Sequence, residues 1–125
     1  MTTLLQGVVV CHGELGRALV AAVEEISGVR GALVPVSNQG CDRGQLEERI
    51  VAAVDNRPSV VFVDMPSGSC LFAAVRRLSG TPGTRLVTGV NLAMLLDFVF
   101  HRQISPEEAA DRAIETGSKA ISSRR

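Results

Sequence analysis

Four short runs of apolar, largely β-branched residues punctuate this chain, each separated from the next by a segment long enough for a helix. They are Leu5 to Cys11, Ala32 to Val36, Val60 to Val63, and Arg85 to Thr88. The third contains no polar residue, so neither face of that strand can meet water. Burial on both faces marks a parallel sheet covered by helices, since parallel strands need crossover connections. The intervening segments read as helices. Gly16 to Ser27 carries Leu19, Val23 and Ile26 at helical spacing and ends before Gly28. Asp42 with Gln45 forms a capping box ahead of Leu46, Ile50 and Val54, and Pro58 closes that region. Cys70 to Leu78 and Asn91 to Phe100 follow the third and fourth strands, Asn91 capping its helix. A last helix opens at Ser105-Pro106-Glu107-Glu108, with Ser105 as cap and Glu108 as its capping-box partner. The alternation βαβαβαβα predicts a three-layer αβα domain spanning residues 1–125, its four-stranded, mostly parallel sheet ordered 2-1-3-4.

Composition excludes several functions. Thirteen basic residues balance thirteen acidic ones, so no net field draws nucleic acid or a charged membrane. The chain has no Trp or Tyr and four Phe, which leaves little for base stacking. Cys11, Cys41 and Cys70 are an odd, widely spaced set without a CxxC pair. That spacing argues against a zinc site or a disulfide framework and suits a reducing cytoplasm. The start, Met1-Thr2-Thr3-Leu4, lacks a basic leader, and no apolar run is long enough to span a bilayer.

Chemistry in such a fold gathers at the C-terminal ends of the strands. Three of them carry unusual residues: Cys11-His12-Gly13, Asp64 through Ser69, and Gly89-Val90-Asn91. In the order 2-1-3-4, strands one and three are neighbours, so His12 and Asp64 face each other across the switch point. A carboxylate that accepts the Nδ1 proton leaves Nε2 with a free lone pair. Ser67-Gly68-Ser69 leads into a helix N-terminus, where amide groups and the helix dipole favour an anion. Ser67 and Ser69 serve equally well as helix caps. A nucleophilic histidine, an orienting aspartate and an anion cradle together describe a phosphoryl acceptor and donor.

Three segments resemble the mannose-family IIA component of the bacterial phosphoenolpyruvate–sugar phosphotransferase system (PTS). They are Val9 to Gly13, Val63 to Ala74, and Thr88 to Leu96, with Glu115-Thr116-Gly117 as a weaker fourth. The resemblance implies that His12 takes a phosphoryl group from the carrier protein HPr and passes it to a IIB component. It implies that Asp64 orients His12 and that Gly13, Ser67, Gly68 and Ser69 contact the phosphate. No metal or cofactor is required, because the donor is already a reactive phosphohistidine. It further implies a homodimer and a fifth, antiparallel strand near the C-terminus. The loop departs from the family pattern. Met65 stands where an aromatic residue is common, and one glycine and the proline after the serine are missing.

Two other readings share these residues. One is a regulatory module whose phosphorylation state another protein senses. The other takes Cys11 to Arg17 as a C-x5-R phosphate loop, similar to that of low-molecular-weight tyrosine phosphatases, with Cys11 as nucleophile and Arg17 as anion clamp. Glu14 inside that loop, Ala18 after the arginine and the lack of an Asp-Pro pair weigh against it. His101 at a helix end suits the C-terminal dipole. Arg76-Arg77 reads as solvated surface.

Overall fold

The structure is a computed structural model and describes residues 4–125; the leader reading of Met1 to Thr3 lies outside the described residues. Four strands and five helices alternate as expected. They are β1 (Gln6–Cys11), α1 (Leu15–Ser27), β2 (Leu33–Ser37), α2 (Arg43–Val54), β3 (Ser59–Val63), α3 (Ser69–Leu78), β4 (Thr84–Thr88), α4 (Leu92–Val99) and α5 (Pro106–Lys119). The sheet order is β2-β1-β3-β4, and every pairing is parallel. Val9 registers with Phe62 on one side and Pro35 on the other. Pro35 lacks an N–H, and it sits on an edge strand, where a lost donor is tolerated.

Strand alternation divides the core in two. Val9, Cys11, Val60 and Phe62 point to one face and pack against Val20 and Val23 of α1, Leu95 and Phe98 of α4, and Ala109 and Ala113 of α5. Val8, Val10, Val61 and Val63 point to the other, against Leu46 and Ile50 of α2 and Ala73 and Ala74 of α3. Phe62 and Phe98 meet edge to face, their ring centroids 5.3 Å apart. Gly7 makes room for that pair: a Cβ there would lie 2.9 Å from the Phe98 ring and 2.5 Å from Leu33 Cδ2. Buried Gln6 donates to the Ala53 and Val54 carbonyls and to Ser59 Oγ, tying the end of α2 to β1 and β3.

Several local expectations shift. α1 is rotated from the predicted face: it buries Gly16, Val20 and Val23, and Ile26 is 61% exposed. Gly16 is the cause, since its Cβ would lie 3.1 Å from the Val9 carbonyl oxygen. A glycine lets the helix approach β1 there without the neighbouring backbone having to give way. α2 ends at Val54, before Pro58, with Asp55 and Asn56 in the left-handed region. Arg76 and Arg77 lie on the surface as expected, and there they also pair with Glu47 and Glu48 of α2. The fifth strand implied by the family resemblance does not form among the described residues. The sheet has four strands, and the chain after Lys119 has no regular structure. Ile121 is the one large apolar side chain of that tail, and it is exposed.

Candidate functional site

β1 ends at Cys11, and the next residue, His12, begins the turn into α1. β3 ends at Val63, and Asp64 stands beside it; the Asp64 N–H still donates to the Val10 carbonyl. The two strand ends therefore place His12 and Asp64 together. Asp64 Oδ2 accepts two hydrogen bonds from the same residue, one from the His12 backbone N–H at 2.9 Å and one from Nδ1 at 2.7 Å. The backbone bond fixes where the carboxylate sits. The ring bond then fixes the tautomer with the proton on Nδ1. Asp64 is nearly buried, whereas the His12 side chain is 40% exposed. Nε2 therefore keeps its lone pair and an open approach.

The Nε2 side of the ring faces the start of α3. A Cβ on Gly68 would lie 3.5 Å from His12 Cε1 and 3.6 Å from Nε2, so the backbone of the helix N-cap abuts the imidazole. Gly68 has φ 91° and ψ −178°, a conformation open essentially to glycine alone. No side chain caps this helix, so neither Ser67 nor Ser69 serves as its cap. The first-turn amides thus have no side-chain acceptor. This uncapped, positive helix end suits an anion. Ser69 Oγ lies 3.4 Å from Nε2. Ser67 is exposed and makes no side-chain hydrogen bond among the described residues.

Gly13 is placed differently. Its N–H donates to Asn38 Oδ1 at 3.0 Å, and its carbonyl accepts from Ser37 Oγ at 2.7 Å. Ser37 ends β2 and Asn38 follows it, at the one strand end whose residues gave no chemical signal in the sequence. Ser37 and Asn38 clamp the peptide after His12 and so hold the turn that presents the ring. Asn91 caps α4 by accepting from the Met94 N–H, and it donates to the Gly117 carbonyl of α5. His101 stands at the C-terminus of α4, with Nδ1 2.7 Å from the Asp97 carbonyl oxygen. Arg112 joins it there, 2.9 Å from Asp97 Oδ1.

The C-x5-R reading fails on burial. Cys11 points into the core beneath α1 and is fully buried. Burial pushes its thiol up to about 12, and the negative charge of Asp64 adds to the shift. A thiol with so high a pKa holds no thiolate at neutral pH. Arg17 is solvent-exposed and lies 3.7 Å from Glu14. It clamps no loop.

The parallel strand order, with helices on both faces of the sheet, defines a three-layer α/β domain. Its fold matches that of solved PTS IIA proteins. An EIIA component from Streptococcus agalactiae superposes with a TM-score of 0.87 at 18% identity, over 95% of this chain and 96% of that one. The mannose/sorbose-specific IIA subunit from Enterococcus faecalis gives 0.84 at 20% identity, over 98% and 96%. The IIA protein associated with the fucose utilization operon of Streptococcus pneumoniae gives 0.78 at 18% identity, over 98% and 96%. No curated protein matches by sequence. The sequence model of the family described as "PTS system fructose IIA component" matches residues 6–115, and the chain belongs to that family, EIIA-man. Among the described residues, no helix is long and apolar enough to cross a membrane.

Proposed function

We propose that this chain is a phosphocarrier that accepts a phosphoryl group from phospho-HPr on Nε2 of His12 and passes it to a IIB component during sugar uptake. The single observation that carries this reading is the His12–Asp64 pair. One carboxylate oxygen holds both the backbone and the ring of a histidine whose other nitrogen is open.

In the forward step the Nε2 lone pair attacks phosphorus in line as the nitrogen–phosphorus bond of the HPr phosphohistidine breaks. The departing nitrogen keeps that bond's electron pair. The ring proton stays on Nδ1, and Asp64 stabilises the imidazolium-like charge that develops. Ser69 Oγ and the first amides of α3 stabilise the transferring oxygens, with Ser67 at the rim and Gly68 admitting the close approach. Gly13 acts through its clamped peptide, holding the ring in place. Transfer onward reverses these roles with the IIB acceptor as nucleophile.

Three exposed apolar side chains support docking of protein partners. Leu15, Met65 and Phe72 are exposed on the three segments that frame His12, and the Arg43 guanidinium lies 4.6 Å from the centre of the Phe72 ring. Residues 1–125 act as one IIA unit in the cytoplasm, as a homodimer. The test is incubation with enzyme I, HPr and labelled phosphoenolpyruvate. An acid-labile, alkali-stable label present on the wild type and absent from His12→Ala is expected. No label on the wild type, or a label that survives in His12→Ala, refutes the proposal.

A further inference from the structure

The phosphate chemistry uses two of three metal-ligating side chains that converge at the switch point. His12, Asp64 and Cys70 each offer a donor atom, and all three atoms lie within 4.8 Å of one another. They come from the ends of β1 and β3 and from the first turn of α3, positions remote from one another in sequence. A second observation is independent of that clustering. Asp64 Oδ1 is buried and has no hydrogen-bond partner. Buried carboxylate oxygens are normally paired, so this one is left with unused binding capacity.

We propose that His12, Asp64 and Cys70 form a binding site for a zinc-class divalent ion, and that its occupation removes His12 as a nucleophile. The binding stands on geometry alone; the inhibitory consequence rests on the phosphocarrier reading above. One nitrogen, one oxygen and one sulfur donor suit a borderline-soft ion, not magnesium or calcium, which take oxygen shells. A tetrahedral zinc ion places its ligands about 3.3–3.8 Å apart, and the three donor atoms already lie within 4.8 Å of one another. Asp64 can ligate through its unpartnered Oδ1. His12 is exposed enough to turn. Three protein ligands leave a fourth position for water.

The inhibition does not depend on which ring nitrogen binds. Ligation through Nε2 takes the nucleophilic lone pair directly. Ligation through Nδ1 moves the ring proton to Nε2, and the lone pair is again lost. In both cases Cys70 gives its thiol proton to solvent.

The experiment is titration of the reduced, metal-free protein with Co2+, followed by displacement with Zn2+. One Co2+ per chain and a near-ultraviolet thiolate-to-cobalt charge-transfer band are expected. The band should be lost in Cys70→Ala and retained in Cys41→Ala. Where Cys70→Ala loses its far-ultraviolet dichroism, Cys70→Ser replaces it, because either change removes the soft donor. No band in the wild type, or a band that survives without Cys70, overturns the site. One equivalent of Zn2+ should abolish labelling of the metal-free protein, and chelator should restore it. Labelling unchanged by bound Zn2+ overturns the inhibition. Failure of the metal-free protein to label at all refutes the phosphocarrier reading and leaves the metal titration standing as its own test.

Discussion

Replacing Asp64 with asparagine separates the charge of the carboxylate from its shape. The side chain keeps its size and one oxygen, and the negative charge goes. In the wild type, Oδ2 sits 2.7 Å from His12 Nδ1. A full positive charge on the ring at that distance gains about 6 kcal/mol at an effective dielectric of about 20. Roughly half of that charge has developed at the transition state, and solvent screens a half-exposed ring further, leaving about 2 kcal/mol. That is about a thirtyfold loss in transfer rate. Loss of tautomer control adds several-fold, since the amide can also turn its NH2 toward Nδ1 and force the proton onto Nε2. Stability should change little. Oδ1 is buried and unpartnered, so removing the charge relieves desolvation as it weakens the Oδ2 bonds. The expected change in unfolding free energy is within about 1 kcal/mol. Rapid-quench measurement of transfer from phospho-HPr, beside a urea melt, reads both quantities. Transfer within about threefold of wild type refutes the orienting role. A loss of about 3 kcal/mol or more means that Asp64 is chiefly structural.

Three further outcomes follow from the same geometry. Burial, with Asp64 adding to it, raises the Cys11 thiol to about 12 and the Cys70 thiol to about 11, so the folded state retains protons that the unfolded chain releases near pH 9. The thiols' contribution to stability is therefore full below about pH 9 and falls as pH rises toward 11–12, by up to about 1.4 kcal/mol per pH unit per thiol; urea melts between pH 8 and 11 check this, and a flat profile contradicts it. Gly68→Ala puts a side chain where φ is 91° and beside the His12 ring; a cost of about 1–3 kcal/mol is expected, with a fall in labelling rate, and a melt unchanged from wild type would show that the loop has another low-energy form. Phe98→Ala empties a fully buried site against Phe62 and should cost about 3–5 kcal/mol in a urea melt, whereas a loss below about 1 kcal/mol would mean that α4 is not anchored by this ring.

The sheet was legible because burial on both faces leaves few options. Val60 to Val63 has no polar residue to face water, so β3 is central and helices must cover both sides. The caps were legible for a different reason. Asp42, Asn91 and Ser105 each hold an amide three residues ahead, a local interaction that sequence spacing encodes. What spacing does not encode is how closely a helix approaches the sheet. α1 turned toward Gly16 because a missing side chain admits backbone contact, and an apolar count gives glycine no weight. The same limit hid the α2–α3 ion pairs, since Glu47 and Arg76 meet only after two crossovers have been made.

The site divides along the same line. Cys11 and His12 are adjacent in sequence and rival nucleophiles, and the strand's alternation separates them. Cys11 is the last residue of β1, so its side chain must enter the core on the α1 face. His12 is the first residue past the ladder, where the chain is free to turn the ring out toward α3. Topology then supplies Asp64, because β1 and β3 are neighbours and their ends lie at the same level. These steps need only strand ends and strand order, both readable from the sequence. Asn38 needs more. Its value lies in an amide oxygen 3.0 Å from the Gly13 N–H, a contact across β1 and β2 that no motif around either residue announces. Cys70 is the extreme case. Its spacing from other cysteines argues against a metal, yet the fold brings its sulfur within 4.8 Å of donor atoms of His12 and Asp64. Metal spacing rules read one segment at a time; a switch point draws donors from three.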